Sequence, residues 1–376
     1  MPEQDKTLKP GWRRVKFGDV VRLSKVRSQD PLVDGFERYV GLEHLEPGDL
    51  RIRSWGNVAD GVTFTNVFKP GQVLFGKRRA YQRKVAVADF AGVCSGDIYV
   101  LESKDASVLL PELLPFICQT DAFFDYAVGT SAGSLSPRTN WTSLAGFEFA
   151  LPPIEEQRRT LALLSTGLNA VDELQAAIGA LPILRRSMEM QLLAMEGVPK
   201  LKVGDVAKFT SGKSIRVSDL PKSPSNTNPV PVFGGNGISG YTDTIMAGTS
   251  EPTVVIGRVG QFCGVTSMTE GPCWITDNAL YPAKISPEIH PAFLAICLRA
   301  SNLNRSKLGE YLPLITQEVV HKIEIPVPHP SDQCAAISQF GQIETTTAAL
   351  MSRLSDTRAL VVHVASQMLE GGVNGI

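Results

Sequence analysis

The chain contains an internal duplication, and this feature constrains its fold more than any other. The segment Lys16–Val20 (KFGDV) recurs as Lys202–Val206 (KVGDV), and Leu151–Gln157 (LPPIEEQ) recurs in degenerate form as Val327–Gln333 (VPHPSDQ). A long segment with helical periodicity follows the second motif in each copy. The duplication therefore predicts two globular domains, each followed by a proline hinge and a long helix, in a protein that contacts two places at a fixed separation.

Four segments follow from these boundaries. We predict a globular domain at 1–150, a helical region at 151–198, a second globular domain at 199–326 and a second helical region at 327–376. Short β-type runs broken by glycines, such as Gly71–Phe75 and Asp97–Leu101, accompany one expected helix at Leu109–Tyr126. This mixture is typical of α+β domains built around twisted, largely antiparallel β-sheets.

The two helical regions share one pattern of apolar residues. Apolar residues recur in steps of three and four from Leu161 to Met195, and they form one stripe from Ile337 to Met368. Such spacing is typical of helices that pack through a single seam. Pro182 is expected to kink or split the first helix, and Ser331–Asp332 to cap the second. Each helix alone would expose its apolar stripe, so we predict that the two pack as an antiparallel coiled coil.

Composition excludes several classes of protein. With 43% hydrophobic and 20% charged residues among 376, the chain is expected to be globular. No apolar run approaches the roughly 20 residues that cross a bilayer, and the charged N-terminus lacks the apolar segment of a signal peptide. The six cysteines form no Cys-x-x-Cys pair, so we expect reduced thiols in a cytoplasmic protein that contacts no membrane.

Two nucleotide-binding motifs are only apparent. Gly235–Gly240 matches the GxGxxG pattern, yet Tyr241–Thr244, which follows it, is typical of a turn and strand rather than a helix. Ala207–Ser214 lacks one glycine of a P-loop, and no helix is expected after it. The histidines and cysteines show no metal-ligand spacing, and there is no nucleophile elbow. We therefore expect no catalysis by the chain alone, no metal and no bound cofactor.

A basic segment in the first domain is the clearest sign of a ligand. The net charge is only −1, yet no acidic residue lies between Gly61 and Ala88. Cations without nearby carboxylates suit phosphate contact, and arginine and glutamine can read base edges. A solvated basic hairpin is the alternative. The candidate DNA contacts are Lys77, Arg78, Arg79, Tyr81, Arg83 and Lys84.

The second domain repeats this arrangement. Ile256–Phe262 again places a glycine and then a cation after an apolar strand, so we expect one loop to be used twice. Ser136–Arg138 and Ile315–Gln317 lie at comparable distances before their hinges. The further candidate DNA contacts are Arg138, Lys213, Asn236, Arg258, Gln261 and Thr316.

The order of domains, with the LPPIEEQ hinge leading into a long helix, resembles the DNA-specificity subunit of type I restriction-modification systems. In the second domain, Pro231–Tyr241, Ile256–Gly260 and Trp274–Tyr281 are similar to the target recognition domains of that family, and Lys208–Ser214 to their opening segment. The resemblance extends from about Trp12 to Leu369. The first domain diverges more, and the second hinge lacks the glutamate pair of the first.

The resemblance implies a non-catalytic subunit that reads an asymmetric, bipartite sequence in double-stranded DNA, one half with each domain. It further implies recruitment of two methyltransferase subunits, which would bind the methyl donor S-adenosylmethionine, and of restriction subunits in the full complex. Glu155, Glu156, Gln157 and Gln333 are the expected partner contacts. A structural adaptor with two protein-binding modules is the alternative, and its binding would survive high salt.

Overall fold

The structure, a computed structural model, describes residues 8–306 and 313–370, and the chain divides into two compact units. Unit 1 comprises Met1–Gln175 and Met351–Ile376, and unit 2 comprises Ala176–Leu350. Each unit therefore contains one globular domain and a part of both long helices. These two units differ from the four consecutive segments predicted from the sequence, because each long helix is divided between the units.

Unit 1 begins with short strands and short helices. Its strands are β1 (Arg13–Lys16), β2 (Val21–Leu23), β3 (Arg38–Val40), β4 (Gly56–Asn57), β5 (Asn66–Phe68), β6 (Val73–Gly76), β7 (Val85–Val87), β8 (Gly92–Cys94), β9 (Ile98–Ser103) and β10 (Glu148–Leu151). Its helices are α1 (Phe17–Val20), α2 (Leu114–Gln119), α3 (Asp121–Gly129) and α4 (Trp141–Leu144), after which the long helix α5 (Ile154–Leu193) begins.

Unit 2 repeats this order of elements. Its strands are β11 (Lys200–Lys202), β12 (Ala207–Ser211), β13 (Val230–Gly234), β14 (Gly237–Thr242), β15 (Val254–Gly257), β16 (Thr266–Met268), β17 (Trp274–Ile275), β18 (Ala279–Ile285) and β19 (Glu324–Pro326). Its helices are α6 (Val203–Val206), α7 (Pro291–Ala300) and α8 (Gln317–His321), after which the second long helix α9 (Pro330–Glu370) begins.

The sheets of the two units correspond strand by strand. The antiparallel pair β1–β10 corresponds to β11–β19, and the antiparallel sheet β2-β9-β6-β7 corresponds to β12-β18-β15-β16. The sheet β4-β3-β8-β5 corresponds to β14-β13-β17, and each contains one parallel pair, β3 with β8 and β13 with β17. Strand β5 is an addition of unit 1. The α+β class predicted from the sequence is confirmed.

Each unit has its own apolar core. In unit 1 the fully buried aromatic rings of Phe17, Phe75 and Phe123 lie together, with the Phe17 and Phe123 ring centroids 4.9 Å apart. In unit 2 the core lies between the sheet and α7, around the buried Phe293. The His321 Nε2 atom accepts a hydrogen bond from the Phe209 backbone N–H at 2.9 Å, which joins α8 to β12.

The long helices pack on the core of each unit through their apolar stripes. In unit 1, Leu164 of α5 is buried together with Val361 and Met368 of α9. In unit 2, Leu192 of α5 is buried together with Phe340 of α9. The early part of each helix thus lies with the late part of the other, which is the antiparallel order that the sequence predicts.

A buried carboxylate connects the helices of unit 1 to the globular domain. Asp49, only 2% exposed at its side chain, accepts hydrogen bonds from Arg53 Nε at 3.1 Å, from Gln175 Nε2 of α5 at 3.0 Å and from the Arg51 backbone N–H. Arg358 of α9 lies 3.7 Å from the same carboxylate. Burial alone would raise the pKa of Asp49, but these hydrogen bonds outweigh it and lower the pKa below its ordinary value.

Two details of the predicted helices are wrong. The expected helix at Leu109–Tyr126 is divided between α2 and α3, because Thr120 is extended and its hydroxyl caps both, donating to the Ile117 carbonyl and accepting from the Phe123 N–H. At Pro182, where a kink or a split was expected, helix α5 continues without a split. Helix α9 begins at Pro330, ahead of the predicted cap, since proline has the backbone angle that suits a first helical turn.

Two further features, a membrane-spanning helix and a metal-binding cluster, are not expected from the sequence. Within residues 8–306 and 313–370 we find no helix with the length and hydropathy that crossing a membrane requires, and no cluster of His, Cys, Asp or Glu that would hold a metal ion. Five of the six cysteines are buried, and Cys334 is exposed.

Candidate nucleic-acid interface

The basic segment of unit 1 forms a loop after β6, residues 77–84, which we call loop 1. Residues 258–265 form the corresponding loop 2 after β15. Both loops are closed by the same hydrogen bond at 2.9 Å: the Gly76 N–H donates to the Lys84 carbonyl, and the Gly257 N–H to the Val265 carbonyl. One loop is therefore used twice, as the sequence predicts.

Both loops contain left-handed residues at the same two positions. In loop 1 these are Arg79 with φ 53° and Arg83 with φ 56°, and in loop 2 they are Gly260 with φ 79° and Gly264 with φ 86°. A residue with a Cβ atom pays about 1–2 kcal/mol in this conformation, and glycine does not. Loop 1 therefore holds two arginines in a strained conformation, whereas loop 2 has glycines at the same two positions.

Main-chain hydrogen bonds also fix where each loop lies in its unit. The Lys77 N–H donates to the Asp97 carbonyl, and its own carbonyl accepts from the Thr139 N–H. In unit 2 the Arg258 N–H donates to the Asn278 carbonyl, and the Arg258 carbonyl accepts from the Ile315 N–H. Lys77 and Arg258, both singled out from the sequence, are thus equivalent first residues of the two loops.

The fold brings carboxylates to loop 1 that its own sequence lacks. Asp97 Oδ2 lies 3.4 Å from Arg78 Nη1, and Asp97 Oδ1 accepts from Arg138 Nε at 2.9 Å. Arg83 forms an ion pair with Asp121. Burial raises the pKa of Asp97, but its bonds to Arg138 and Arg78 lower the pKa overall. The expectation of a carboxylate-free surface is wrong for these three arginines, because sequence distance does not measure distance in the fold.

The remaining candidates of loop 1 are not ion-paired among the described residues. Lys77 Nζ lies 4.8 Å from the centroid of the Tyr99 ring, and Lys84 Nζ donates to the Leu42 carbonyl at 2.6 Å. Tyr81 is 55% exposed, and the side chain of Arg79 is half-buried. No described carboxylate neutralises these three cations, and the Tyr81 ring is exposed.

A groove of about 510 Å³ lies beside loop 1 and adds residues that the sequence analysis missed. Lys25, Arg27 and Lys77 line it together with Asn66 and Tyr99. Lys25 and Arg27 are exposed and form no ion pair within the described part of the chain. The duplication contained the signal for Arg27, since the segment SKVRS after β2 aligns with TSGKS, in which Lys213 was a candidate.

In unit 2 the end of β12 lies next to loop 2. Arg258 Nη1 donates to Ser211 Oγ at 3.2 Å. The exposed Lys213 follows directly, and its main chain is held by the Ile275 carbonyl and by the Trp274 indole N–H. The structure therefore brings Lys213 and Arg258 to one place, as it does Arg27 and Lys77 in unit 1.

Unit 2 contains a concavity of about 470 Å³, which is lined by polar side chains and glycines. The lining includes Asn236, Asn278 and Phe262, and the Phe262 side chain is 37% exposed at the position that Tyr81 occupies in loop 1. Asn236 is exposed in the turn between β13 and β14, and Gln261 is exposed in loop 2. The apparent dinucleotide motif lies in this antiparallel hairpin, so no helix follows it.

Thr316 has a different environment from the other candidates. Its hydroxyl accepts a hydrogen bond from the Val319 N–H at 3.4 Å and caps α8. Asn140 caps α4 in the same way, accepting from the Ser143 N–H at 2.8 Å. The position thus carries a helix cap in each unit, a role that the sequence analysis did not assign to it.

The hinge glutamines are also structural. Gln157 is fully buried: its amide donates to the Val108 and Pro152 carbonyls at 2.8 and 2.9 Å, and its oxygen accepts from the Leu110 N–H at 3.0 Å. Gln333 repeats this set with the Glu288 and Pro328 carbonyls and the His290 N–H. Neither amide faces solvent, so both residues form contacts within the chain. Their contact with a partner stays a prediction.

Glu155 and Glu156 at the first turn of α5 have exposed carboxylates. Glu155 pairs with Arg158 and Glu156 with Arg159, each at 2.6 Å. Both pairs join residues three apart on one helix, so this surface at the start of α5 remains exposed to solvent.

Known proteins match this chain over part of its length. No protein-family model matches the chain. The type I restriction enzyme EcoDI specificity subunit of Escherichia coli is 32% identical over 157 residues, which are 39% of this chain and 32% of that protein. The EcoprrI specificity subunit of the same organism is 24% identical over 148 residues, 39% of this chain and 36% of that protein. The chain thus matches about a third of the length of these relatives.

Solved structures match nearly the whole chain. A chain from a study of complex assembly and conformational transition of the type I R-M system has a TM-score of 0.62 and 20% identity, covering 96% of this chain and 97% of its own. This chain has the fold of type I specificity subunits. The HsdS subunit from Thermoanaerobacter tengcongensis (TM-score 0.51, 20% identity, 99% and 100% covered) and the S subunit from M. genitalium (0.58, 14%, 98% and 98%) agree. The resemblance seen in the sequence is confirmed.

Proposed function

We propose that this protein is the DNA-reading subunit of a type I restriction-modification complex, in which each unit reads one half of a bipartite sequence. The single observation that carries the proposal is the repeated loop. Two units of the same topology present the same loop conformation, each beginning with a cation, Lys77 or Arg258, and each accompanied by a second cation, Arg27 or Lys213.

The chemistry of this surface suits duplex DNA. Lysine and arginine side chains without ion pairs neutralise phosphates, whereas exposed amides such as Asn236 can read base edges. The ion-paired arginines of loop 1, held by Asp97 and Asp121, shape the loop in this proposal rather than contact phosphate directly. The half-sites are unequal because the loops share a backbone but differ in side chains.

The proposal assigns the chemistry of methylation and cleavage to partners. Two methyltransferase subunits would bind S-adenosylmethionine and dock on the hinge and helix surfaces, and restriction subunits would join the full complex. Glu155 and Glu156 are the proposed docking residues, because their carboxylates are exposed at the start of α5. The chain itself is proposed to be non-catalytic.

A salt titration tests the DNA contact. Fluorescence anisotropy of a labelled random-sequence duplex would be measured with the chain assembled with its methyltransferase subunits, comparing wild type with Arg27→Ala and Lys77→Ala. Each lost phosphate contact should lower the slope of log affinity against log salt by about 1. Arg13→Ala is the matched control, because Arg13 is an exposed arginine on β1, outside the groove, with no ion pair among the described residues.

Two results would contradict the proposal. Binding that does not change with salt would favour the structural adaptor, and an equal effect of Arg13→Ala would mean that the groove has no special part in binding. Mapping of methylated positions in the host genome gives an independent check, since a bipartite sequence with unequal halves is expected.

The spacer between the half-sites tests the helices. Helices α5 and α9 have 40 and 41 residues, and each rises about 1.5 Å per residue. Matched insertion of one heptad into both helices preserves their apolar seam, and we expect it to change the number of base pairs between the half-sites. An unchanged spacer in the methylation map would refute the measuring role of the helices.

A further inference from the structure

Loop 1 carries an arginine where loop 2 carries a glycine. Arg79 and Gly260 share the left-handed conformation, and in both loops this residue donates its N–H to a proline carbonyl, Pro137 at 2.7 Å and Pro313 at 3.0 Å. Glycine adopts this conformation freely and arginine does not. The reason for an arginine at this position therefore lies in what its side chain does.

The second left-handed arginine of loop 1 has such a reason inside unit 1. The guanidinium of Arg83 donates to Asp121 and to the Gln119 carbonyl, and it lies 4.7 Å from the centroid of the Phe124 ring. Arg83 therefore ties loop 1 to α2 and α3. Its side chain is fully used within the unit.

Arg79 has no partner of this kind. Its Nε atom is buried without a hydrogen bond, and among the described residues no ion pair or hydrogen bond involves its guanidinium. The three neighbouring arginines are all engaged, Arg78 and Arg138 by Asp97 and Arg83 by Asp121. A permanently charged guanidinium on a fixed backbone, left free, suits two-point recognition of a group from outside.

We infer that Arg79 specifies a guanine in the half-site read by unit 1, donating two hydrogen bonds to guanine O6 and N7 in the major groove. This inference rests on the proposed function and assigns different tasks to the arginines: the ion-paired ones shape loop 1, and Arg79 reads a base. Gly260 has no side chain, so unit 2 does not specify the equivalent base pair from this position. The exchange of one residue thus makes the half-sites unequal.

The test is selection from randomised duplex DNA by the full-length chain assembled with its methyltransferase subunits, followed by sequencing of the bound duplexes. Arg79→Gly is the decisive variant, because it installs the residue that loop 2 already uses on the same backbone. Arg13→Ala is the control, because Arg13 is an exposed arginine of β1 that does not line the groove beside loop 1. Thermal unfolding of each variant shows whether its fold is kept.

We expect wild type to select guanine at one base pair of one half-site, and Arg79→Gly to reduce that preference about 5- to 150-fold while the other positions keep theirs. Arg79→Lys should retain much of the affinity but lose most of the preference, since an ammonium group cannot form the planar two-point contact. Arg13→Ala should leave the selected sequence unchanged.

An unchanged selected sequence with Arg79→Gly would overturn the inference. Equal weakening for every duplex would also overturn it, because Arg79 would then contact phosphate. If the wild-type complex selects no sequence at all, the proposed function itself fails, so the two failures can be told apart.

Discussion

The hinge glutamines give the most direct test of how the repeated units are held together. In the variant Gln157→Ala, three main-chain groups lose their partners at once: the Leu110 N–H and the Val108 and Pro152 carbonyls. These groups belong to the segment before α2 and to the hinge before α5. We expect the variant to loosen the attachment of α5 to the globular domain of unit 1.

The magnitude follows from the number of bonds and their burial. A hydrogen bond within a protein contributes about 1 kcal/mol net, and a buried group left without a partner costs about 1–3 kcal/mol. The Gln157 side chain is fully buried, but two of its bonds reach backbone that is only part-buried, where water can substitute. We therefore expect a loss of about 3 kcal/mol, which is a large share of the stability of an ordinary domain.

Hydrogen exchange followed by mass spectrometry measures this loss locally. The Leu110 amide should exchange about 150-fold faster in Gln157→Ala if opening of the hinge limits exchange. Gln333→Ala should do the same to the His290 amide in unit 2. The neighbouring Arg158→Ala removes only an exposed ion pair and serves as the control, with an expected cost below about 1 kcal/mol.

Unchanged Leu110 protection in Gln157→Ala would refute this reasoning. If the variant also bound its methyltransferase partner more weakly while its stability stayed the same, the glutamine would be a partner contact after all. Reduced protection with a normal fold elsewhere is the expected result.

Three further outcomes are expected. Burial, and then the charge of Lys208, lower the pKa of His321 below 6.5, so unit 2 should lose stability as pH falls from about 6.5 through the folded pKa, and His321→Gln should abolish this dependence in melting curves. Asp49→Ala should cost about 3 kcal/mol in urea unfolding, because the Arg51 N–H and the Gln175 amide lose a buried acceptor and Arg358 loses a carboxylate. Gly264→Ala should lower the melting temperature more than Gly260→Ala, since only the Cβ atom at 264 would overlap neighbouring backbone, 2.8 Å from a nitrogen.

The sequence predicted the features that depend on repeated patterns. The duplication, the α+β class, the antiparallel pairing of the long helices and the reuse of one loop all follow from spacing and periodicity, which is why they are confirmed. The failure at Thr120 has a local cause: its hydroxyl caps two helices, and a hydrophobic periodicity that continues across it does not reveal the break.

The electrostatics of the candidate site depend on ion pairs between residues far apart in the chain. These ion pairs could not be predicted from the sequence. Asp97 and Asp121 reach loop 1 only through the pairing of β9 with β6 and the position of α3. The burial of Gln157 was not predicted for a related reason, because the hinge sequence is polar while the Gln157 amide points into the unit. Arg27 could have been found, since the repeat aligns it with Lys213.

The way the loops are held explains how a duplicated protein can read unlike sequences. Loop 1 and loop 2 are closed and positioned by main-chain hydrogen bonds, such as those from Gly76 and Gly257, which do not depend on the identity of the loop side chains. Arg79 can therefore stand where loop 2 has Gly260 at a local cost of about 1–2 kcal/mol, without refolding the unit. Such a scaffold separates stability from recognition, and it follows that exchange of loop side chains should change the selected bases far more than it changes the fold.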